Sequence, residues 1–315
     1  HVLNQAGLHA PMAGNVGDSA AELGLQCMDP AQTQPDWIVM EMSSYQIESA
    51  IEVRPTIGIW TTLTPDHLER HGSMDAYRDI KQGLLQRSEN AVLNADDADL
   101  QTKHADWPDA QWVSAKQTKG EPSNLELWIN PEGLVCSKQG ALFPANALAM
   151  PGEHNRQNML LVTAAALQAG LDANAIERGL RSFPGVPHRL ENLGSLHGMH
   201  VFNDSKATNY DAAAVALQAV PGPIALLAGG LSKQGDASGW LQLVHDRVCS
   251  ITLFGSDREV LLGLIRRSGY TGDVRSHPTM ADAVTAAIDQ GKSKSAASLL
   301  LSPACASFDQ YKDFE

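Results

Sequence analysis

The stretch TIGIWTTLTPDHLERHGSMDAYRDIKQGLLQRSENAVLNADD, Thr56 to Asp97, decides the fold. Its ends, TIGIWTTLT and AVLNAD, are short apolar runs that read as buried strands. Between them Met74, Tyr77 and Leu84 recur at three- and four-residue steps, the spacing of one buried helical face. Strand, helix, strand is the repeating unit of a parallel sheet covered by helices. Lys81 falls on that same helical face, where an ammonium group is costly to bury. Three accounts accommodate it. The stem packs while the head snorkels to water, or the charge pairs with a buried carboxylate such as Glu41, or desolvation yields a neutral amine able to capture carbon dioxide as a carbamate. Pattern does not choose among them.

The same rhythm extends in both directions. DWIVMEMSS precedes the stretch as a further strand, and from Trp107 to Leu148 the pattern changes. There LELWINPEGLVCSKQGALF reads as hairpins turning at Pro-Glu-Gly and Lys-Gln-Gly, a small antiparallel appendage. Two helices follow, GEHNRQNMLLVTAAALQAG and DANAIERGLRSF. FPGVPHR, Phe183 to Arg189, interrupts helical periodicity with two prolines and a glycine and is the expected linker. Beyond it MHVFND, PIALLAGG, SITLFGS and SLLLSPACAS alternate with helical segments, a second, Rossmann-like α/β domain. The expected division is 1–185 and 186–315.

At 315 residues, with 43% hydrophobic and 19% charged residues, the chain has the composition of a globular protein with ample cores. No apolar run approaches the roughly 20 residues of a membrane helix. HVLNQAGLHA has neither a charged leader nor an initiator Met, so no signal peptide is expected and the start reads as processed or truncated. Four scattered cysteines form no CxxC pair and suit a reducing cytosol. A net charge of -13 argues against nucleic acid and leaves room for a small anion held in a local positive pocket.

Ligands of open α/β sheets bind beyond the carboxyl ends of the strands. The polar residues there include Glu41, Ser43 and Ser44, then Thr64 to His71, Asn203 to Thr208, Gly229 to Lys233, and Ser302 to Ser307, as a cleft between two α/β domains requires. Each has an ordinary account. Glu41 is a loop acid and His67 a capping residue when taken singly, and imidazole is an unusual ligand for Mg²⁺. Thr208 or Asn209 suits an N-cap, whereas Asp204 and Lys206 crowd a strand end as anion or ribose contacts do. Asn155 and Asn158 share one face of a helical first turn, and Arg189 can fork onto a phosphate. Neither GGLSK nor Gly291-Lys292-Ser293 is a phosphate loop; the latter reads as a C-cap and solvated turn.

In order, GNVG, EMSSYQ, TPDHLERHGS, Lys81, NADD, GEHNRQN, FPGVPHR, NDSKATN, GG-x-x-K and LLSPACASFDQ resemble the Mur ligases across the chain. NDSKATN and SPACASFDQ resemble the branch that adds glutamate. The resemblance implies an ATP-dependent amide ligase that adds D-glutamate to UDP-N-acetylmuramoyl-L-alanine through an acyl phosphate, during cytoplasmic peptidoglycan synthesis. It implies a central ATP-binding domain followed by an amino-acid-binding one, in a protein expected to be monomeric. It implies two Mg²⁺ sites held by Glu41, His67 and a carbamate on Lys81. Asn15, Ser43, Gln46 and His67 would face the precursor. Asn155, Asn158, Arg189 and Asp204 would take ATP, with Asp204 near the ribose. Lys206 and Thr208 would line the seam between domains, while Lys233, Thr208, Ser307, Phe308 and Phe314 would take the glutamate. The family's phosphate loop GTxGKS[ST] belongs about twenty residues before GNVG, ahead of His1, so this chain alone is expected to be inactive. A folylpolyglutamate-synthetase-like ligase and a silent binding protein are the alternatives.

Overall fold

The computed structural model of the chain describes residues 1–64, 67–116, 125–232 and 235–312. It divides into two compact units, residues 1–149 with 153–183, and residues 150–152 with 184–315. Both are α/β.

The first unit opens with a parallel pair, β1 (Met12–Gly14) and β2 (Val39–Glu41). A six-stranded sheet follows in the order of the chain: β3 (Ile57–Trp60), β4 (Asn90–Asn94), β5 (Gln111–Ser114), β6 (Leu125–Ile129), β7 (Leu134–Ser137) and β8 (Gly140–Pro144). β3 to β6 pair in parallel, and β6 to β8 in antiparallel. The hairpins thus extend the parallel sheet. Alternation along β4 shows how the sheet is buried on both sides. Val92 joins Val113, Leu127 and the helix Glu153–Gln168 on one face, and Leu93 joins Trp60, Trp112, Tyr77 and Leu85 on the other. Tyr77 and Leu85 belong to the helix Met74–Gln86, started by Ser73, whose hydroxyl accepts from the Ala76 amide.

The second unit has one sheet in the order β13-β12-β11-β14-β10-β9, from β9 (Glu191–Leu196), β10 (Met199–Asn203), β11 (Ile224–Gly229), β12 (Val248–Phe254), β13 (Asp273–Ser276) and β14 (Ser298–Leu301). All pairs are parallel except β9 with β10. Leu226, Ile251 and Leu300 pack with Trp240, Val244 and Leu261, while Leu227 and Leu299 on the opposite face pack with Ala283 and Ala287. Helices therefore cover both faces, as in a Rossmann-like sheet. At the end of β11, Gly229 (φ +146°) approaches the Phe254 carbonyl so closely that any Cβ would run into it.

Several local expectations change. β2 is a strand with exposed side chains, Val39 45% and Met40 40%, in a two-stranded sheet with β1. β9 and β13 were not anticipated; both are mostly polar edge strands without an alternating apolar face. Gly291 is no C-cap. The helix Met280–Ser293 runs past it, and Gly291 is buried where a Cβ would meet Met199 and Ala225.

Candidate active site

In the first unit Asn15, Glu41, Ser43, Gln46 and His67 lie at or just beyond the ends of β1, β2 and β3. Gly14 (φ +112°) lies against the Glu41 carbonyl with no room for a side chain. This close approach lets the Asn15 amide donate to the Glu41 carbonyl at 2.8 Å while Asn15 Nδ2 donates to Glu41 Oε1 at 3.2 Å. Asn15 therefore orients the Glu41 carboxylate. Ser43 caps the helix Ser44–Ser49 in a reciprocal box: its amide donates to Gln46 Oε1 at 2.9 Å, and its hydroxyl accepts from the Gln46 amide at 3.3 Å. Two of the four residues expected to meet the precursor thus also meet each other.

His67 begins the short helix Leu68–His71 in a left-handed conformation (φ 52°), which costs a non-glycine residue energy and must be held by its neighbours. Tyr45 meets the rings of His67 and His71 at centroid distances of 5.2 and 5.4 Å. His71 accepts or donates at 3.0 Å with Ser44 Oγ and stacks on Tyr77 at 5.4 Å. Lys81 is half-buried, with Nζ 5.1 Å from the centroid of the Tyr77 ring. A run of rings thus links His67 to Lys81. Sequence reasoning placed Tyr45 and His71 within motifs without a role of their own, and took Tyr77 as core alone. The four-residue step from His67 to His71 on a single helical turn was the available signal.

Among the described residues, no three His, Cys, Asp or Glu side chains converge as a ready metal site. Donor chemistry then decides the fit of Mg²⁺. Glu41 is exposed and offers oriented carboxylate oxygens, and His67 offers an imidazole, so both suit a cation. An ammonium has no lone pair to give. Lys81 fits such a centre only in a form other than the ammonium.

The residues expected at ATP lie in both units. Asn155 is buried and Asn158 exposed, near the start of the helix Glu153–Gln168. In the second unit Arg189 is exposed between two residues in left-handed conformation, His188 (φ 63°) and Leu190 (φ 44°). Asp204, just past β10, holds this turn. Its Oδ1 accepts from the Leu190 amide at 3.1 Å, and its Oδ2 accepts from Ser302 Oγ at 3.0 Å. Burial pushes the Asp204 carboxyl up to about 6, against the opposing pull of those hydrogen bonds and of the Arg189 charge. Lys206 is exposed and Thr208 half-buried in the same connection, and Asn209 caps the helix Tyr210–Ala219 by accepting from the Ala212 amide at 2.8 Å. Ser307 and Phe308, the latter 69% exposed, follow β14. Lys233 and Phe314 lie outside the described residues. Next to Lys233, Ser232 donates through amide and hydroxyl to Asp257, which holds that carboxyl below its usual range.

The Mur ligase middle domain matches residues 4–166 of the 315. A UDP-N-acetylmuramoylalanine--D-glutamate ligase of Parasynechococcus marenigrum (strain WH8102) is 58% identical over 315 residues, which is all of this chain and 68% of that protein. The chain belongs to the Mur ligase family. A second ligase of that name, from Synechococcus elongatus (strain ATCC 33912 / PCC 7942 / FACHB-805), is 44% identical over 100% of this chain and 69% of its own length. Among solved Mur ligases, a UDP-N-acetylmuramoyl-L-alanyl-D-glutamate--2,6-diaminopimelate ligase superposes with a TM-score of 0.65 at 18% identity, covering 99% of this chain and 70% of that one. A Mycobacterium tuberculosis folylpolyglutamate synthase gives a TM-score of 0.57 at 20% identity, covering 86% of this chain and 66% of that one. At such identities the likeness is one of fold.

Proposed function

We propose that this Mur ligase is an ATP-dependent amide ligase that adds D-glutamate to UDP-N-acetylmuramoyl-L-alanine in cytoplasmic peptidoglycan synthesis. The observation that carries this reading is 58% identity along the whole chain to a ligase bearing that name.

The reaction brings three anions together: the precursor carboxylate, the ATP phosphates and glutamate. The carboxylate attacks the γ-phosphorus to give an acyl phosphate and ADP. The glutamate amine then attacks the acyl carbon, forming the amide, releasing phosphate and shedding a proton. Positive groups must offset the repulsion and meet the charge that develops in each step. Arg189 suits the ATP phosphates, because its fork can bond two oxygens at once. Asn155 and Asn158 supply amide donors to the nucleotide, and Asp204 keeps lone pairs beyond its two internal hydrogen bonds for a ribose hydroxyl. Asn15, Ser43, Gln46 and His67 face the precursor. Lys206 and Thr208 line the reacting region, and Lys233 and Thr208 take the glutamate α-carboxylate. Ser307, Phe308 and Phe314 enclose its side chain.

Glu41 and His67 would hold one Mg²⁺, and Lys81 would support a second as a carbamate. The ammonium first loses a proton; the neutral amine nitrogen then bonds the carbon of carbon dioxide and releases a second proton, so a cation becomes an anion. Bound Mg²⁺ supplies charge neutralisation and polarisation of the phosphoryl oxygens.

The test is incubation of the full-length protein with ATP, Mg²⁺, UDP-N-acetylmuramoyl-L-alanine and D-glutamate. Expected are phosphate release and a product heavier by one glutamyl residue, with L-glutamate and a folate acceptor unreactive. Absence of phosphate release would defeat the reading, and turnover of the folate acceptor would redirect it to the folylpolyglutamate class.

A further inference from the structure

The motif NADD, Asn94 to Asp97, is given no site role above, yet its hydrogen bonds end on two segments that carry proposed site residues. β4 lies between β3 and β5, so its carboxyl end can reach the connections that follow both neighbours. Asn94, 2% exposed, donates through Nδ2 to the Thr61 carbonyl at 2.9 Å and to Gln157 Oε1 at 3.2 Å. Asp96 turns the other way and accepts from the Ala115 amide at 2.7 Å, beyond β5. Asp97 divides its two oxygens. Oδ1 accepts from the Leu100 amide at 2.9 Å and caps the helix Ala98–Thr102, whereas Oδ2 accepts from Thr62 Oγ1 at 2.6 Å and from the Leu63 amide at 3.1 Å. Thr61, Thr62 and Leu63 are thus each held from the end of β4 or the turn that follows it, a few residues ahead of His67. Gln157 stands between Asn155 and Asn158 on the helix Glu153–Gln168.

A buried amide at a strand end could serve stability alone. Two features argue for more. These bonds land on the connection leading to His67 and on the helix of Asn155 and Asn158, rather than on the sheet. His67 also sits at φ 52°, a conformation that persists only where the surroundings over-determine it. We propose that Asn94 and Asp97 are positioning residues: Asn94 ties the connection leading to His67 to the helix carrying Asn155 and Asn158, and Asp97 holds the same connection to the start of the helix Ala98–Thr102. The inference rests on the metal and nucleotide roles proposed above for those residues. Outer partners of this kind tune a site through the geometry of the groups they hold.

Asp97→Asn separates the tether from the cap. An asparagine oxygen can still accept from Leu100, but its amide then faces the Leu63 amide donor to donor. In the full-length protein this variant should keep a cooperative melt and lose hydrogen-exchange protection at Leu63. Half-saturation with Mn²⁺, read by equilibrium binding and by turnover, should rise about tenfold. Gln157→Met cuts the other arm and should raise the KM for ATP. Combining the two should cost more than the sum of their effects, because each single variant leaves the other tether in place. If Asp97→Asn does not melt cooperatively, Thr62→Val, which leaves the cap intact, must show the same shift in Mn²⁺ half-saturation. Native exchange at Leu63, native Mn²⁺ dependence in a folded variant, or strictly additive effects would each overturn the proposal. The native protein's own Mn²⁺ binding and ligation separately test the reading on which it rests.

Discussion

Both units hold their proposed site loops with a polar side chain buried at the end of a central strand, but they use different chemistry. In the first unit the anchor is Asn94, the last residue of β4, an amide without a charge state. In the second it is Asp204, the residue after β10, a carboxylate that is 5% exposed. Asn94 grips a carbonyl and a side-chain oxygen, so it must donate. Asp204 grips an amide and a hydroxyl, so it must accept. What each loop presents sets the anchor's chemistry. One consequence follows: the second anchor can respond to pH and the first cannot.

The largest expected effect lies beyond both anchors, at Lys81 in the helix Met74–Gln86. Lys81→Ala should abolish phosphate release while leaving the melting temperature near native, because the side chain is only half-buried. Added bicarbonate should not restore turnover, since no amine remains to carbamylate. Full turnover in that variant would remove Lys81 from the chemistry.

A smaller effect tests the contrast between anchors directly. Asp204 has its pKa raised from 3.8 to about 6 by burial. The folded state therefore favours the protonated carboxyl. Its contribution is fully present below pH about 3.8 and is lost as pH rises through about 6, a difference of about 3 kcal/mol. Asp204→Asn should remove this slope. Its oxygen can accept from Leu190, and its amide can donate to the Ser302 hydroxyl, which rotates to accept. Denaturant unfolding should then find the variant about as stable as the native protein near pH 4 and up to about 3 kcal/mol more stable above pH 7. ATP affinity should fall if the carboxylate also serves the ribose. A native protein with no such slope would show that Arg189 or solvent compensates the buried charge.

How much of this could be read beforehand depended on whether a signal was local. The helix Met74–Gln86 was visible because Met74, Tyr77 and Leu84 repeat within it, and the Asn209 cap because Asn209 precedes its own helix. β9 and β13 were not, since an edge strand needs no apolar alternation. The tether from Asp97 to Thr62 spans 35 positions, and that from Asn94 to Gln157 spans 63. No periodicity records such pairings. Ser43 shows the mixed case: its capping box with Gln46 is a three-residue pattern, yet both residues were read for their chemistry and not for their cap.

The two caps permit the finest comparison. Ser43 in the first unit and Asn209 in the second each accept from an amide three residues on, at 3.3 and 2.8 Å, and replacing either by alanine should cost about 1 kcal/mol of stability. Their kinetic consequences should differ. Asn209 points into its own helix at the end of a connection whose other residues carry the proposed contacts, so Asn209→Ala should leave the KM values for precursor and ATP unchanged. Ser43→Ala also releases Gln46 from the reciprocal box, and both residues are proposed to face the precursor. The same loss of stability should therefore come with a raised KM for UDP-N-acetylmuramoyl-L-alanine and an unaltered KM for ATP. Equal kinetics in the two variants would reduce the Ser43–Gln46 pair to a helix cap and move precursor recognition elsewhere in the first unit.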